Sequence, residues 1–363
     1  EELRAQMAKR ILVLDGAMGT MQQTKDLGPD DFGGPELEGC NEVLVRTRPG
    51  VILDVHRAYL AAGADLIETD TFGGTPLVLA EYGLEDEAPA LNRLAAELAS
   101  QAAAEFATTD RPRFVVGSVG PTTRAISVTG GITFEQLIET FSAQIRGLLE
   151  GGVDLLFVET CQDTRNTKAA LIAAELAFAD AGVRRPLVVS GTIETSGTML
   201  AGQAADAFLA SVEHAPLLAV GLNCATGPDL MTGHLRTLHQ RARSAVSCFP
   251  NAGLPDEDGI YPETPDRLAA ALERFADAGW LNVVGGCCGT TDRHIEAIAR
   301  MVDGKSPRSL DAGAAPKTVF SGIELVEPDD DNRPLLVGER TNVIGSKAFR
   351  ELVAAGEWDE AVE

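Results

Sequence analysis

The sequence is poor in aromatic residues and in positive charge. Aromatic side chains make up 5% of its 363 residues, and 30 Lys and Arg face 54 Asp and Glu, which gives a formal net charge of −24. Proteins bind nucleic acid through basic surface that meets phosphate, so this acidity argues against such a partner. It also disfavours adhesion to anionic lipid. We therefore expect neither nucleic acid nor a membrane among its partners.

Long apolar runs and targeting signals are missing as well. No run approaches the roughly 20 residues of a membrane span. The first four residues, Glu1–Arg4, lack the basic-then-apolar order of a secretory signal. We therefore predict a cytoplasmic protein. In that compartment its six cysteines (40, 161, 224, 248, 287 and 288) are not expected to form a disulfide framework.

What the chain does contain is a regular alternation of short apolar segments and helical patterns. The eight apolar segments span 11–15, 65–69, 114–118, 155–160, 187–192, 218–223, 245–249 and 281–285. Wholly apolar strands are typical of parallel sheets that are buried on both faces. Eight such units predict an α/β protein with a (β/α)8 TIM barrel. The alternative is an open doubly wound sheet.

Polar or sulfur-bearing residues at the strand ends favour the barrel. Barrel enzymes build their active sites at the rim where the strands end, whereas an open sheet would concentrate such residues near one switch point. The residues concerned are Asp15, Glu68, Ser118, Glu159, Thr192, Asn223, Asn251 and Cys287.

The composition divides the chain into three parts. We assign the barrel to residues 1–304, a linker rich in Pro, Gly, Ala and Asp to 305–333, and the start of a second domain to 334–363. The last part reads as an apolar strand, Leu335–Asn342, followed by a helical pattern. One strand and one helix cannot form a core, so we expect the chain to be cut just inside a second domain.

Two adjacent cysteines follow the last apolar segment of the barrel. Glycines on both sides of Cys287 and Cys288 let the backbone leave strand geometry, so that both sulfurs can face one centre. Cys224 ends an earlier strand in the same way. Three cysteines are the protein's share of an open, catalytic zinc site. The alternatives are a redox or structural Cys287–Cys288 pair in a non-catalytic module and a zinc hydrolase, although His and carboxylate ligands are not grouped here.

The remaining cysteines and the histidines are assigned lesser roles. Cys161 follows another strand end and is expected to line the same pocket, whereas Cys248 lies inside an apolar run and is predicted to be a small buried hydrophobe. Cys40, in a glycine-rich loop, is assigned no role. The histidines at 56, 214, 234, 239 and 294 fall in helical patterns and are interpreted as surface or packing residues.

Other strand-end residues are candidates for binding a substrate. Asp15 and Glu159 can hold an ammonium group, although either could instead cap a helix. The turn Gly16–Thr20 and the segment Ser118–Gly120 can offer backbone N–H groups to a carboxylate, or simply form tight turns. Asn251 can fill the fourth position on zinc until substrate displaces it, or it can simply form a turn.

Four segments together resemble the homocysteine methyltransferase family. They are Leu14–Thr20, Val158–Thr160, Gly221–Cys224 and Gly285–Thr290, and the resemblance covers roughly residues 8 to 303. It implies a zinc (β/α)8 barrel whose metal ligands are Cys224, Cys287 and Cys288, with Asn251 as the displaceable fourth. It implies homocysteine contacts from Asp15, Gly16, Ala17, Ser118, Glu159 and Asn223. No general base is evident, so the substrate thiolate is the only reacting group that it implies.

A fifth segment extends the resemblance beyond the barrel. Gly338–Asn342 looks like the first strand of a pterin-binding folate barrel, with Asn342 facing pterin in the intact protein. A homocysteine barrel followed by a folate barrel is the order of the cobalamin-dependent methionine synthases; the betaine- and S-methylmethionine-dependent relatives lack it. The implied reaction is methyl transfer from methylcobalamin, regenerated from 5-methyltetrahydrofolate, to zinc-bound homocysteine. The cobalamin- and folate-binding modules would belong to the same polypeptide, and the cobalamin module would dock over the rim.

Overall fold

A computed structural model describes residues 1–310, 318–332, 334–336, 338 and 341–362. The chain divides into two compact units. The larger comprises Glu1–Ala315 and Ser321–Leu325, and the smaller comprises Pro316–Phe320 and Val326–Glu363. Within the described residues, no helix has the length and apolar character that crossing a membrane requires.

The larger unit is built on a parallel sheet of eight strands. Its strands are β1 Leu12–Val13, β2 Leu66–Glu68, β3 Phe114–Val119, β4 Leu155–Cys161, β5 Leu187–Gly191, β6 Ala219–Asn223, β7 Ala245–Phe249 and β8 Val283–Val284. Strands β2 to β8 pair in chain order, and β1 pairs with β8. One bridge between Leu14 and Leu66 joins β1 to β2. The sheet is therefore a nearly closed (β/α)8-type barrel and not an open doubly wound sheet.

The α-helices in the described part of this unit precede, connect or follow the strands. They are α1 Glu2–Met7, α2 Met18–Gln23, α3 Pro29–Phe32, α4 Leu44–Thr47, α5 Pro49–Ala62, α6 Pro76–Leu79, α7 Ala88–Phe106, α8 Phe134–Glu150, α9 Thr164–Ala181, α10 Ala205–Val212, α11 Pro228–Arg241, α12 Pro265–Asp277 and α13 Asp292–Val302. Local chemistry sets their ends. At the start of α8, for example, the Thr133 hydroxyl accepts from the Gln136 amide at 3.2 Å, and the Gln136 side chain accepts from the Thr133 amide at 2.9 Å.

The strands bury both of their faces, as wholly apolar segments require. Leu12 and Val283 belong to a cluster of buried side chains that α1 joins through Leu3 and Met7. Alternate residues such as Val13 belong instead to the larger cluster that includes helix residues. Successive side chains on a strand point to opposite faces, so one short segment supplies both layers of the core.

A buried carboxylate ties three elements together at the amino-terminal end of the barrel. Asp65 is fully buried and accepts hydrogen bonds from Arg10 at 2.6 Å, Arg111 at 3.1 Å and Arg113 at 3.1 Å. It also accepts from the backbone N–H of Val13 at 3.0 Å. This network links β1 to the segments that flank β2 and precede β3, near the place where the barrel closes.

Part of the segment interpreted as a linker belongs to the larger unit. The Arg308 guanidinium donates to the carbonyl groups of His239 at 2.9 Å and Ala242 at 2.6 Å, at the carboxyl end of α11. The Ile323 carbonyl accepts from the Ala204 amide at 2.9 Å, at the start of α10. Both contacts satisfy polar groups that a helix end leaves without an intrahelical partner.

In the smaller unit the predicted helical segment forms α14 Lys347–Ala355 and α15 Trp358–Val362. The strand predicted over Leu335–Asn342 falls in part on Val337, Glu339 and Arg340, which lie outside the described residues. Its described residues are in no strand. Asn342 accepts backbone N–H groups of the following turn instead. The start of a second barrel therefore stays a prediction.

Candidate metal centre and active site

Close backbone contacts at the end of β8 place Cys287 and Cys288. A Cβ atom on Gly285 would lie 2.7 Å from the carbonyl oxygen of Leu14, so only glycine fits there. Gly289 has φ of +79°, a left-handed conformation that glycine adopts without strain. The two glycines thus let the chain turn out of the strand on either side of the cysteine pair.

The rim after β7 holds the same pair through the backbone. The Cys287 amide donates to the Pro250 carbonyl at 2.8 Å, and the Cys288 carbonyl accepts from the Ala252 amide at 2.9 Å. On the other side, Cys224 follows β6 with φ of +61°. A non-glycine residue in that region costs on the order of 1–3 kcal/mol, a strain that clusters at functional sites.

The structure brings the three sulfurs of Cys224, Cys287 and Cys288 together. Their Sγ atoms all lie within 4.8 Å of one another, and those of Cys224 and Cys288 are 3.7 Å apart. Bonds of about 2.3 Å place two sulfurs of a tetrahedral zinc site about 3.8 Å apart. All three cysteines are partly exposed. The donor set therefore fits a zinc ion that a substrate can reach.

Hydrogen bonds within the cluster give its thiols different pKa values. Those with Cys224 and Cys287 lower the pKa of Cys288 to about 3. Hydrogen bonds with Cys224 and Cys288 raise the pKa of Cys287 well above its usual value. Cys288 is therefore more acidic than Cys287. A bound metal cation would have to displace the thiol protons, because thiolates are the metal ligands.

Three carboxyl groups from other strand ends form an acidic pocket at the same rim. Asp15 is 2% exposed; its Oδ2 accepts from the Glu68 amide at 3.0 Å, and its Oδ1 finds no hydrogen-bond partner among the described residues. Glu159 is 6% exposed, and its Oε1 accepts from the Ser118 hydroxyl at 2.5 Å.

Burial and mutual repulsion disfavour negative charge in this pocket. Burial raises the pKa of Glu159 to about 7. It also raises the pKa of Asp15 and of Glu68 well above their usual values, and repulsion from Glu159 adds to both shifts. Because burial disfavours their negative charge, a compact cation that bound there would stabilise it. The pocket is suited to an ammonium group.

Asn223 lies between the carboxyl groups and the sulfurs. Its Nδ2 donates to the Thr160 hydroxyl at 2.7 Å and lies 3.4 Å from Glu159 Oε2 and 4.0 Å from Cys287 Sγ. Its Oδ1 accepts from the Thr160 amide at 2.9 Å. Its amide thus keeps the acidic pocket and the cysteine cluster adjacent.

Protein groups already hold the backbone of the turn after β1. The Ala17 amide donates to the Thr290 hydroxyl at 3.2 Å, and the Ala17 carbonyl accepts from the Tyr59 hydroxyl at 2.9 Å. A Cβ on Gly16 would lie 2.7 Å from the same Thr290 oxygen. Asp15 therefore projects from a rigid turn in which the Ala17 amide is engaged by the protein.

Asn251 lies in the segment whose backbone binds the cysteine pair. The residue is 3% exposed, and within the described part of the chain its Oδ1 has no hydrogen-bond partner. Its neighbours Pro250 and Ala252 are the residues that bind the backbone of Cys287 and Cys288. A buried acceptor without a donor suits a cation ligand.

Comparison with known proteins agrees with this geometry. The family model for homocysteine S-methyltransferase matches residues 12–302. The chain belongs to the homocysteine S-methyltransferase family. Among solved structures it is similar to the homocysteine methyltransferase MmuM from Escherichia coli in its metallated form, with 27% identity over 83% of this chain and 99% of that chain and a TM-score of 0.68. The oxidized form of MmuM matches with 27% identity, the same coverage and a TM-score of 0.69.

The other cysteines of this homocysteine S-methyltransferase family member lie apart from the cluster. Cys248 is fully buried, which confirms its interpretation as a small core residue. Cys161 lines a small cavity together with Glu159, on the side of α8 and α9. Cys40 is also fully buried, in a cluster of apolar side chains that includes Val43 and Leu44.

Sequence reasoning missed two residues that this family member places at the site. Glu68 was recognised as a polar strand end but was given no part in the acidic pocket. Sequence reasoning also gave no part to Tyr261, whose ring lies against Gly289, next to the cysteine pair. The strand-end position could have revealed Glu68. Nothing local marks Tyr261, because it lies in a loop 28 positions before the glycine that its ring contacts.

Proposed function

We propose that the chain is the homocysteine-binding and homocysteine-activating module of a cobalamin-dependent methionine synthase. The observation that carries the proposal is the convergence of three cysteine sulfurs within 4.8 Å beside a buried acidic pocket. Homocysteine carries a thiol and an ammonium group a few bonds apart. A site for it needs a sulfur-binding centre and an ammonium pocket side by side, and the rim supplies both.

Cys224, Cys287 and Cys288 would hold a zinc ion, with Asn251 Oδ1 in the fourth position until the substrate displaces it. Bound there, zinc would lower the pKa of the homocysteine thiol and keep its sulfur anionic yet nucleophilic at neutral pH. The protein's own contribution is a rigid frame. The glycines beside the cysteine pair and the backbone bonds from Pro250 and Ala252 hold the sulfurs at the mouth of the barrel.

Asp15, Glu68 and Glu159 would bind the ammonium group of homocysteine. The unpartnered Asp15 Oδ1 is an acceptor ready for one of its N–H donors. Ser118 orients the Glu159 carboxylate, and Asn223 keeps it next to Cys287. The turn at Gly16 would face the substrate carboxylate, since the Ala17 amide already donates to Thr290. Orientation of this kind converts binding energy into rate, since the sulfur is presented in one direction only.

The methyl donor that we propose is methylcobalamin carried by another module of the same polypeptide and regenerated from 5-methyltetrahydrofolate. What supports it is the resemblance of Gly338–Asn342 to the first strand of a folate barrel. Asn342 would face pterin in the intact protein. An S-methylmethionine- or betaine-dependent homocysteine S-methyltransferase is the alternative.

The test compares methyl donors on the reduced, zinc-loaded chain. We expect methionine from homocysteine and free methylcobalamin, and none from S-methylmethionine or betaine. Transfer from either of the latter alone would instead place the chain with the relatives that use them.

A second measurement tests the ligand set. Cys224→Ala should lose zinc and the proton release that accompanies homocysteine binding, while Cys248→Ala, which removes a buried thiol outside the cluster, should keep both. Unchanged zinc and unchanged proton release in Cys224→Ala would refute the assignment. A reduced chain that binds no zinc but forms a Cys287–Cys288 disulfide on oxidation would indicate a redox-sensing module.

A further inference from the structure

Two fully buried side chains join the turn after β1 to the cysteine pair. The Thr290 hydroxyl donates to the Cys287 carbonyl at 2.6 Å and accepts from the Ala17 amide at 3.2 Å. The Tyr59 hydroxyl donates to the Ala17 carbonyl at 2.9 Å, and its oxygen lies 3.3 Å from the Thr290 carbonyl oxygen. We call these contacts among Tyr59, Ala17, Thr290 and Cys287 the seam.

The Thr290 side chain fits closely between the two segments that the seam joins. A Cβ atom on Gly16 would lie 2.7 Å from Thr290 Oγ1, and a Cβ atom on Gly286 would lie 2.5 Å from the same oxygen. Distances this short leave no room for a side chain at either position. The hydroxyl therefore reaches both segments only because each of them has a glycine there.

Backbone groups continue the seam on both sides of Thr290. The Gly286 amide donates to the Asp15 carbonyl at 3.2 Å, and the Gly289 amide donates to the Thr20 hydroxyl at 3.1 Å. The hydroxyls of the seam are buried, so water does not compete for their hydrogen bonds. The turn that carries Asp15 and the loop that carries the cysteine pair are thus held together as one piece.

We propose that Tyr59 and Thr290 are positioning residues that fix the spacing between the Asp15 carboxyl group and the cysteine sulfurs, and that this spacing selects homocysteine over cysteine. The inference rests on the proposed function, in which Asp15 binds the ammonium group of the substrate and the cysteines hold the metal that binds its sulfur. Cysteine carries the same groups with one methylene fewer between them. Because the seam keeps the two ends of the site from approaching each other, cysteine can satisfy only one of them.

Calorimetric titration of the reduced, zinc-loaded full chain with homocysteine and with cysteine measures this preference. A missing methylene is worth about 10- to 200-fold in a fitted site, and we expect the unaltered chain to prefer homocysteine by such a factor. Tyr59→Phe removes only the hydroxyl. It should reduce the preference about threefold to tenfold at unchanged zinc content, which is the effect of one lost buried hydrogen bond. Tyr82→Phe, which removes a phenol oxygen near Gly39, should keep the preference.

A second pair of variants separates the hydroxyl of the seam from the packing around it. Thr290→Ser keeps the hydroxyl and should keep the preference, whereas Thr290→Val removes it and should reduce the preference as Tyr59→Phe does. Hydrogen exchange of the metal-free chain reports on the seam without zinc or substrate. The Ala17 amide should exchange faster in Tyr59→Phe and in Thr290→Val than in the unaltered chain.

The outcomes separate this proposal from the proposed function. If the unaltered chain binds homocysteine but Tyr59→Phe and Thr290→Val leave the preference unchanged, the proposal is overturned and the proposed function stands. Equal affinity of the unaltered chain for homocysteine and cysteine would overturn the proposal in the same way. If the unaltered, zinc-loaded chain binds neither amino acid, the proposed function itself fails.

Discussion

Replacing Asp65 by alanine should destabilise the barrel far more than breaking an ion pair on its surface. Asp65 is fully buried, and among its three partners Arg113 is itself only 8% exposed. Arg10 and Arg111 are 30% and 45% exposed, so water can solvate them when the carboxylate is lost. The main cost comes from the buried Arg113 charge, which loses its carboxylate partner. The Val13 amide also loses its acceptor, and this adds to the cost. Removing one member of a buried ion pair costs about 3–5 kcal/mol.

The matched control is an exposed pair. Asp180 and Arg146 lie 2.7 Å apart, with side-chain exposures of 60% and 51%. Such pairs contribute about 0–1 kcal/mol, so Asp180→Ala should have almost no effect. By calorimetry, a barrel of this size should lose about 6–10 °C of melting temperature with Asp65→Ala, taking about 2 °C per kcal/mol.

Zinc content should not change in Asp65→Ala, since the cysteines lie at the carboxyl ends of the strands and Asp65 precedes β2. A fall of less than about 2 °C, which corresponds to about 1 kcal/mol, would refute the reasoning. It would mean that water reaches the guanidinium of Arg113 after all.

Two further predictions concern a buried histidine and the acidic pocket. Burial lowers the pKa of His56 to about 4. The unfolded chain therefore binds more protons than the folded one between about pH 6.5 and pH 4, and stability should fall by about 3 kcal/mol as the pH falls through that window. Denaturation of His56→Leu should lack this component and that of the exposed His214→Leu should retain it; equal pH dependence in all three chains would contradict the prediction. Glu159→Gln should weaken homocysteine binding by about tenfold to a hundredfold, since a hydrogen bond to a charged group contributes about 1.5–3 kcal/mol. Calorimetric titration of the zinc-loaded chain measures this, and an unchanged dissociation constant at unchanged zinc content would remove Glu159 from the ammonium pocket.

Much of the fold and of the cysteine site could be predicted from local sequence patterns. Short, wholly apolar segments alternate with helical patterns because buried parallel strands and amphipathic helices each impose their own period on the chain. The capping box at Thr133 can also be predicted from the sequence, since its partners are three residues apart. The cysteines could be recognised because each ends a strand, and the ends of parallel strands meet at one rim.

Contacts between distant segments were decided only by the tertiary structure. From the sequence, the Ala17 amide could bind a substrate carboxylate. In the structure this amide donates to the Thr290 hydroxyl, 273 positions away. Tyr261 packs against Gly289, and Asp65 binds three arginines, through packing that no local pattern encodes. Which residues lie at strand ends follows from hydrophobic periodicity. Which groups they then meet depends on the closure of the barrel and the paths of its loops, and these are set by the whole chain at once.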